Sequence, residues 1–90
     1  MRLRRRPGTT EVVTLITRQG CHLCEEAIPV VQRSAAEVGA RCEVVDVDSD
    51  PELQDRWTVK VPVVLLDGVE HAYWQVDEKA LRAALRQRGR

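Results

Sequence analysis

The residues best equipped for chemistry in this 90-residue chain lie in one short run, Gly20-Cys21-His22-Leu23-Cys24. The two thiols are three positions apart. On a helical turn that spacing puts both on one face, so the sulfurs can close to bonding distance without moving the backbone. A thiol reacts as its thiolate, and a helix start stabilises a thiolate through free N–H groups and the positive end of the dipole. Cys21, nearest that start and nearest solvent, is the expected nucleophile. Cys24, one turn deeper, is the expected resolving thiol. Gly20 and His22 are supporting candidates. His22 either holds the thiolate, as a cation or a hydrogen-bond donor, or is an exposed loop residue with no role.

Such a pair needs a strand running into a helix, and the flanking sequence has that form. Glu11 to Thr17 is β-branched and mostly apolar, as expected of a strand buried on both faces. From Leu23 to Val38 the period changes: Leu23, Ala27, Val31, Ala35 and Val38 fall three or four apart and predict one apolar helical face. Pro29 removes a backbone N–H inside that helix and predicts a kink, and Gly39 stops it. Arg41 to Val47 reads as a second strand. Asp50-Pro51 reads as an N-cap and first helical position, opening a short helix to about Trp57. Pro62 to Leu66 and Val69 to Trp74 are two strands joined by Asp67-Gly68, a dipeptide favoured in two-residue hairpins. Asp77 is placed to cap a last helix with Leu81, Ala84 and Leu85 facing inward. The order β-α-β-α-β-β-α predicts an α/β domain with a four-stranded mixed sheet and flanking helices.

Other candidates for chemistry are sparse. Cys42, among valines on a strand, reads as a buried small hydrophobe. Structural zinc draws four ligands from two separated pairs, and only one pair is present, so no metal is expected. His71 reads as a solvated or packing residue. Trp57, Tyr73 and Trp74 read as core or rim packing. No phosphate-binding glycine loop, paired catalytic acids or nucleophilic serine motif occurs.

Composition bounds the remaining possibilities. At 31% charged and 43% hydrophobic the chain is globular in type, and 14 bases balance 14 acids. The balance conceals segregation. Arg2, Arg4, Arg5 and Arg6 open the chain, and Arg82, Arg86, Arg88 and Arg90 close it. Six bases and all 14 acids lie between, a charge of −8. The basic ends lack interleaved aromatics and read as solvated tails, so neither nucleic acid nor membrane is an expected partner. Residues 1–10 read as a flexible basic leader and 11–88 as one domain. The leader lacks the apolar stretch of a secretory signal, so a cytoplasmic location is expected.

Cys21-His22-Leu23-Cys24 after the strand Val12–Thr17, with Val61-Pro62 opening a hairpin downstream, resembles the thioredoxin fold. More narrowly, the chain is similar to glutaredoxin-like proteins of a small bacterial group with a C-H-L-C motif. The resemblance spans about Val12 to Leu85, and Asp50-Pro51-Glu52-Leu53 and Trp57 to Pro62 follow the same order of helix and active-site proline. It implies a thioredoxin-like fold and a monomeric thiol–disulfide oxidoreductase. Its substrates would be protein disulfides or those of a low-molecular-weight thiol, glutathione or an equivalent. It implies no cofactor beyond a redox-active Cys21–Cys24 disulfide. It further implies a cis Val61-Pro62 bond facing the motif, with the Val61 backbone pairing with a bound thiol peptide. Arg18 takes the place of the basic residue near the thiol ligand's carboxylate, and Asp77 with Glu78 echoes an acidic pair at the thiol site. The chain departs from the pattern at Tyr73-Trp74-Gln75-Val76, where glutaredoxins carry Gly-Gly, and at Leu15, where thioredoxins carry a buried carboxylate. Two alternatives stay open: a non-catalytic binding module of the same fold, and a metal or iron–sulfur carrier.

Overall fold

The computed structural model describes residues 10–87. The expected leader, apart from Thr10, and the expected tail beyond Gln87 lie outside them.

The elements are β1 (Val12–Thr17), α1 (His22–Glu37), β2 (Arg41–Asp46), a 3-10 turn (Val47–Ser49), α2 (Pro51–Trp57), β3 (Val63–Leu66), β4 (Val69–Tyr73) and α3 (Glu78–Gln87). They form one four-stranded sheet in the order β2-β1-β3-β4. β1 runs parallel to β2 and antiparallel to β3, and β3 and β4 form the antiparallel hairpin. This is the mixed thioredoxin-like sheet implied by the resemblance.

The sheet is covered on both sides, and the strand period of two sorts the side chains. Val13 and Leu15 of β1 and Val64 and Leu66 of β3 pack with Ala27, Val31 and Ala35 of α1 and Leu81 and Leu85 of α3. Ile16 and Val63 point the other way, into a smaller cluster with Val47 and Trp57. Helices α1 and α3 thus cover one face and α2 the other.

Local chemistry sets the ends of the elements. The Asp46 carboxylate accepts from the Asp48 N–H and opens the 3-10 turn, which ends β2 one residue earlier than expected. Asp50 caps α2 through the Glu52 N–H at 2.8 Å, with Pro51 next. Asp77 caps α3 through the Lys79 and Ala80 N–H groups. Asp67 and Gly68 both have positive φ, 51° and 86°, the conformation a tight primed hairpin turn requires.

Three expectations need correction. Thr10, assigned to the flexible leader, is fully buried. The Asp67 carboxylate accepts the Glu11 and Val12 N–H groups and holds the chain entering β1 against the hairpin. Leu23, assigned to the apolar face of α1, is 44% exposed, and Cys24 takes the inward position. Cys42 is half-buried rather than enclosed, because β2 is an edge strand. Burial and the neighbouring Glu43 carboxylate push its thiol pKa up. No helix among the described residues is long and apolar enough to cross a membrane.

Candidate active site

The register gathers the functional residues at one end of the sheet. Thr17, the last residue of β1, pairs with Asp46 at the end of β2. Ile16 pairs with Val63 at the start of β3, and Val63 with Tyr73 at the end of β4. The segments 18–21, 47–50, 58–62 and 74–77 therefore all leave the sheet at the same edge. They hold Cys21, Asp48, Pro62 and Trp74.

Cys21 and Cys24 form a disulfide with Cα atoms 5.2 Å apart. Cys21 is the N-cap of α1, and its sulfur accepts the Cys24 N–H at 3.1 Å. This is one of the free donors expected at a helix start, aimed at the sulfur expected to carry charge. The two thiols differ in access: Cys21 is partly exposed, whereas Cys24 is 1% exposed. Gly20 enters this turn at φ +76°, and a Cβ there would meet nothing within 4 Å. Glycine is needed for its backbone conformation and not for space.

His22 is exposed, and its ring pairs with Glu26, Nε2 lying 3.0 Å from Oε2. Arg18 is also engaged. Its Nε and Nη2 donate to the two Asp48 carboxylate oxygens at 3.2 and 3.3 Å, and it further donates to the Thr58 carbonyl and hydroxyl. Gln54 donates to the same carboxylate at 2.8 Å. These hydrogen bonds, Gln54 first and Arg18 next, hold the exposed Asp48 below the usual carboxylate range. Arg18 thus ties the end of β1 to the segment leading into Val61-Pro62. With Gly20, Cys24 and Val44 it lines a shallow hollow of about 320 Å³.

Val61-Pro62 is cis, as the resemblance implies, and Pro62 is buried. Among the described residues, none of the turn and loop backbone hydrogen bonds uses the Val61 N–H or carbonyl. Asp77, besides capping α3, lines a second groove that opens beside Leu23.

The residue that sequence reasoning placed only as packing is Trp74. Its φ of 70° is left-handed, unusual for an aromatic residue. Three hydrogen bonds hold it there: its N–H to the Lys60 and Pro62 carbonyls, and its indole N–H to the Val59 carbonyl at 2.8 Å. The residue is 55% exposed, and its ring meets that of Tyr73 edge-on at 5.1 Å. Its place where glutaredoxins carry glycine was the available signal. Among the described residues no cluster of three or more His, Cys, Asp and Glu side chains can hold a metal ion.

The family described as glutaredoxin-like domain (DUF836) matches residues 12–86. An uncharacterized protein of Mycobacterium tuberculosis is 41% identical over 76 residues, covering 79% of this chain and 78% of its own. A protein of X. campestris known from its crystal structure is 28% identical with a TM-score of 0.68, over 83% of this chain and 96% of its own. A thioredoxin from Halobacterium salinarum is 25% identical with a TM-score of 0.68, over 93% and 79%. The family match spans the sheet, the three helices and both cysteines, and these structures share their arrangement. The chain belongs to the glutaredoxin-like domain family (DUF836), on a thioredoxin fold with a Cys21–Cys24 disulfide.

Proposed function

We propose that the protein is a thiol–disulfide oxidoreductase that cycles Cys21 and Cys24 between dithiol and disulfide. The observation that carries this reading is the asymmetry of the pair: a partly exposed Cys21 at the N-cap of α1, its sulfur hydrogen-bonded by the Cys24 N–H, and a buried Cys24 behind it.

In the reductive direction the Cys21 thiolate attacks one sulfur of a substrate disulfide and expels the other as a thiolate. The Cys24 thiol then loses its proton and attacks the Cys21 sulfur. This releases the second substrate thiolate and leaves the internal disulfide. Two electrons pass from the protein to the substrate, and a reducing thiol returns the protein to the dithiol. Substrates in this reading are protein disulfides or those of a low-molecular-weight thiol such as glutathione, and the redox group is the protein's own disulfide. The setting we infer is the cytoplasm, where a reducing thiol pool regenerates such a pair. The Val61 N–H and carbonyl, which take part in none of the turn and loop backbone hydrogen bonds among the described residues, support pairing with an extended substrate backbone.

The test compares disulfide reduction by wild type, Cys21→Ser and Cys24→Ser. Cys21→Ser should abolish turnover, and Cys24→Ser should accumulate a mixed disulfide on Cys21 visible by mass spectrometry. Full activity in Cys21→Ser would overturn the assignment. An inert wild type would favour the binding-module alternative.

A further inference from the structure

Beside the cysteine pair lies a groove of about 440 Å³ that the redox step does not itself require. Its apolar lining includes Leu23, the residue between His22 and Cys24, and Trp74 and Val76 from the segment leading into α3. Among the described residues its charged lining groups are two acids, Glu26 and Asp77. Among the described residues neither lysine nor arginine lines it. His22 pairs with Glu26 at its rim. Lys60 is drawn elsewhere, over the Tyr73 and Trp57 rings. Trp74 stays in place against a left-handed backbone because three hydrogen bonds fix it. An unfavourable backbone conformation held by surrounding structure is a mark of a functional position.

We propose that this groove receives the segment next to the reacting cysteine of a basic protein or peptide disulfide. An apolar side chain would lie between Leu23 and Trp74, and a lysine or arginine would lie against Glu26 and Asp77. The inference rests on the oxidoreductase reading and adds the substrate class. Charge complementarity selects this occupant. Glutathione disulfide carries four carboxylates against two ammonium groups, and the groove offers it like charge. The electron flow is that of the parent reaction. The Cys21 thiolate bonds to the peptide cysteine sulfur, the blocking thiol leaves, and Cys24 then frees the peptide thiol while closing the internal disulfide.

The test uses two short peptides, each with leucine beside a cysteine blocked as its 2-pyridyl mixed disulfide. One is flanked by lysines and the other by glutamates. Rates of thiopyridone release by the dithiol protein are divided by the rates with an uncharged thiol, which removes intrinsic reactivity. Hydroxyethyl disulfide serves as an uncharged reference substrate. At low salt the lysine peptide should be favoured in kcat/KM by roughly three- to tenfold, as expected for exposed charge pairs, with the preference narrowing as salt is added. Glu26→Gln and Asp77→Asn should each reduce the preference, asparagine retaining the cap of α3. Changing the peptide leucine to serine should slow wild type, and Trp74→Gly should remove that dependence. Equal rates for the two peptides, or preference for glutamate, with hydroxyethyl disulfide still reduced, would overturn the inference and leave the oxidoreductase reading standing. If no disulfide is reduced, both fall.

Discussion

Trp74 offers a test in which the smaller side chain should win. A non-glycine residue in the left-handed region costs about 1–2 kcal/mol. At φ 70° Trp74 bears that cost. Its indole N–H bond to the Val59 carbonyl is worth about 0.5–1.5 kcal/mol. The edge-on contact with Tyr73 adds a similar amount, about 0.5–1.5 kcal/mol. Trp74→Ala loses both contacts and keeps the backbone cost, so it should destabilise the domain by about 1–3 kcal/mol. Trp74→Gly loses the same contacts but relieves the backbone. After the extra freedom of glycine in the unfolded chain, about 0.4–1 kcal/mol, it should be the more stable variant by about 1 kcal/mol. In a domain of this size that is a melting-temperature gap of about 4–8 °C. Urea unfolding followed by far-UV circular dichroism measures the difference directly. An alanine variant as stable as the glycine variant would refute the claim that a left-handed backbone is forced on this position.

Other predictions follow from burial and hydrogen bonding. Leu81→Ala removes a fully buried side chain between α3 and the sheet and should cost about 2–5 kcal/mol in urea unfolding. Asp67→Gly keeps a residue that tolerates φ 51° but deletes the acceptor for the Glu11 and Val12 N–H groups; a loss of about 1–3 kcal/mol in urea unfolding is expected. Burial lowers the pKa of His71, so the folded state favours the neutral ring while the unfolded chain protonates near 6.5. Its contribution is therefore complete above about pH 6.5 and is lost as the pH falls toward the lower folded value. Urea midpoints measured from pH 7 to pH 5 should decline, and His71→Gln should flatten that decline.

Much of the fold was legible because its signals are local. Asp50-Pro51 starts a helix through the reach of one carboxylate to an N–H two residues on. Asp67-Gly68 makes a hairpin because both residues tolerate positive φ. Cys21 and Cys24 meet because a helical turn spaces them so. Leu23 and Cys42 were harder. Helical periodicity says which residues share a stripe but not where along the helix the sheet stops covering it, and Leu23 lies in the first turn, beside an open groove. Cys42 has strand neighbours suited to burial, but its exposure follows from β2 being an edge strand.

The candidate site divides along the same line. The cysteine pair and the helix start that presents it follow from nearest-neighbour chemistry, and the sequence by itself determined both. The partners of Arg18 and Trp74 lie 30 or 40 residues away in one case and 15 in the other, at Asp48, Thr58 and Val59. Such contacts depend on the register that brings the ends of β1, β2 and β4 and the start of β3 to one edge. Only the tertiary structure decided that Arg18 braces the segment leading to Pro62 and that Trp74 walls the groove. A hydrogen bond between distant segments leaves no periodicity in the chain; it exists only once the sheet has aligned them.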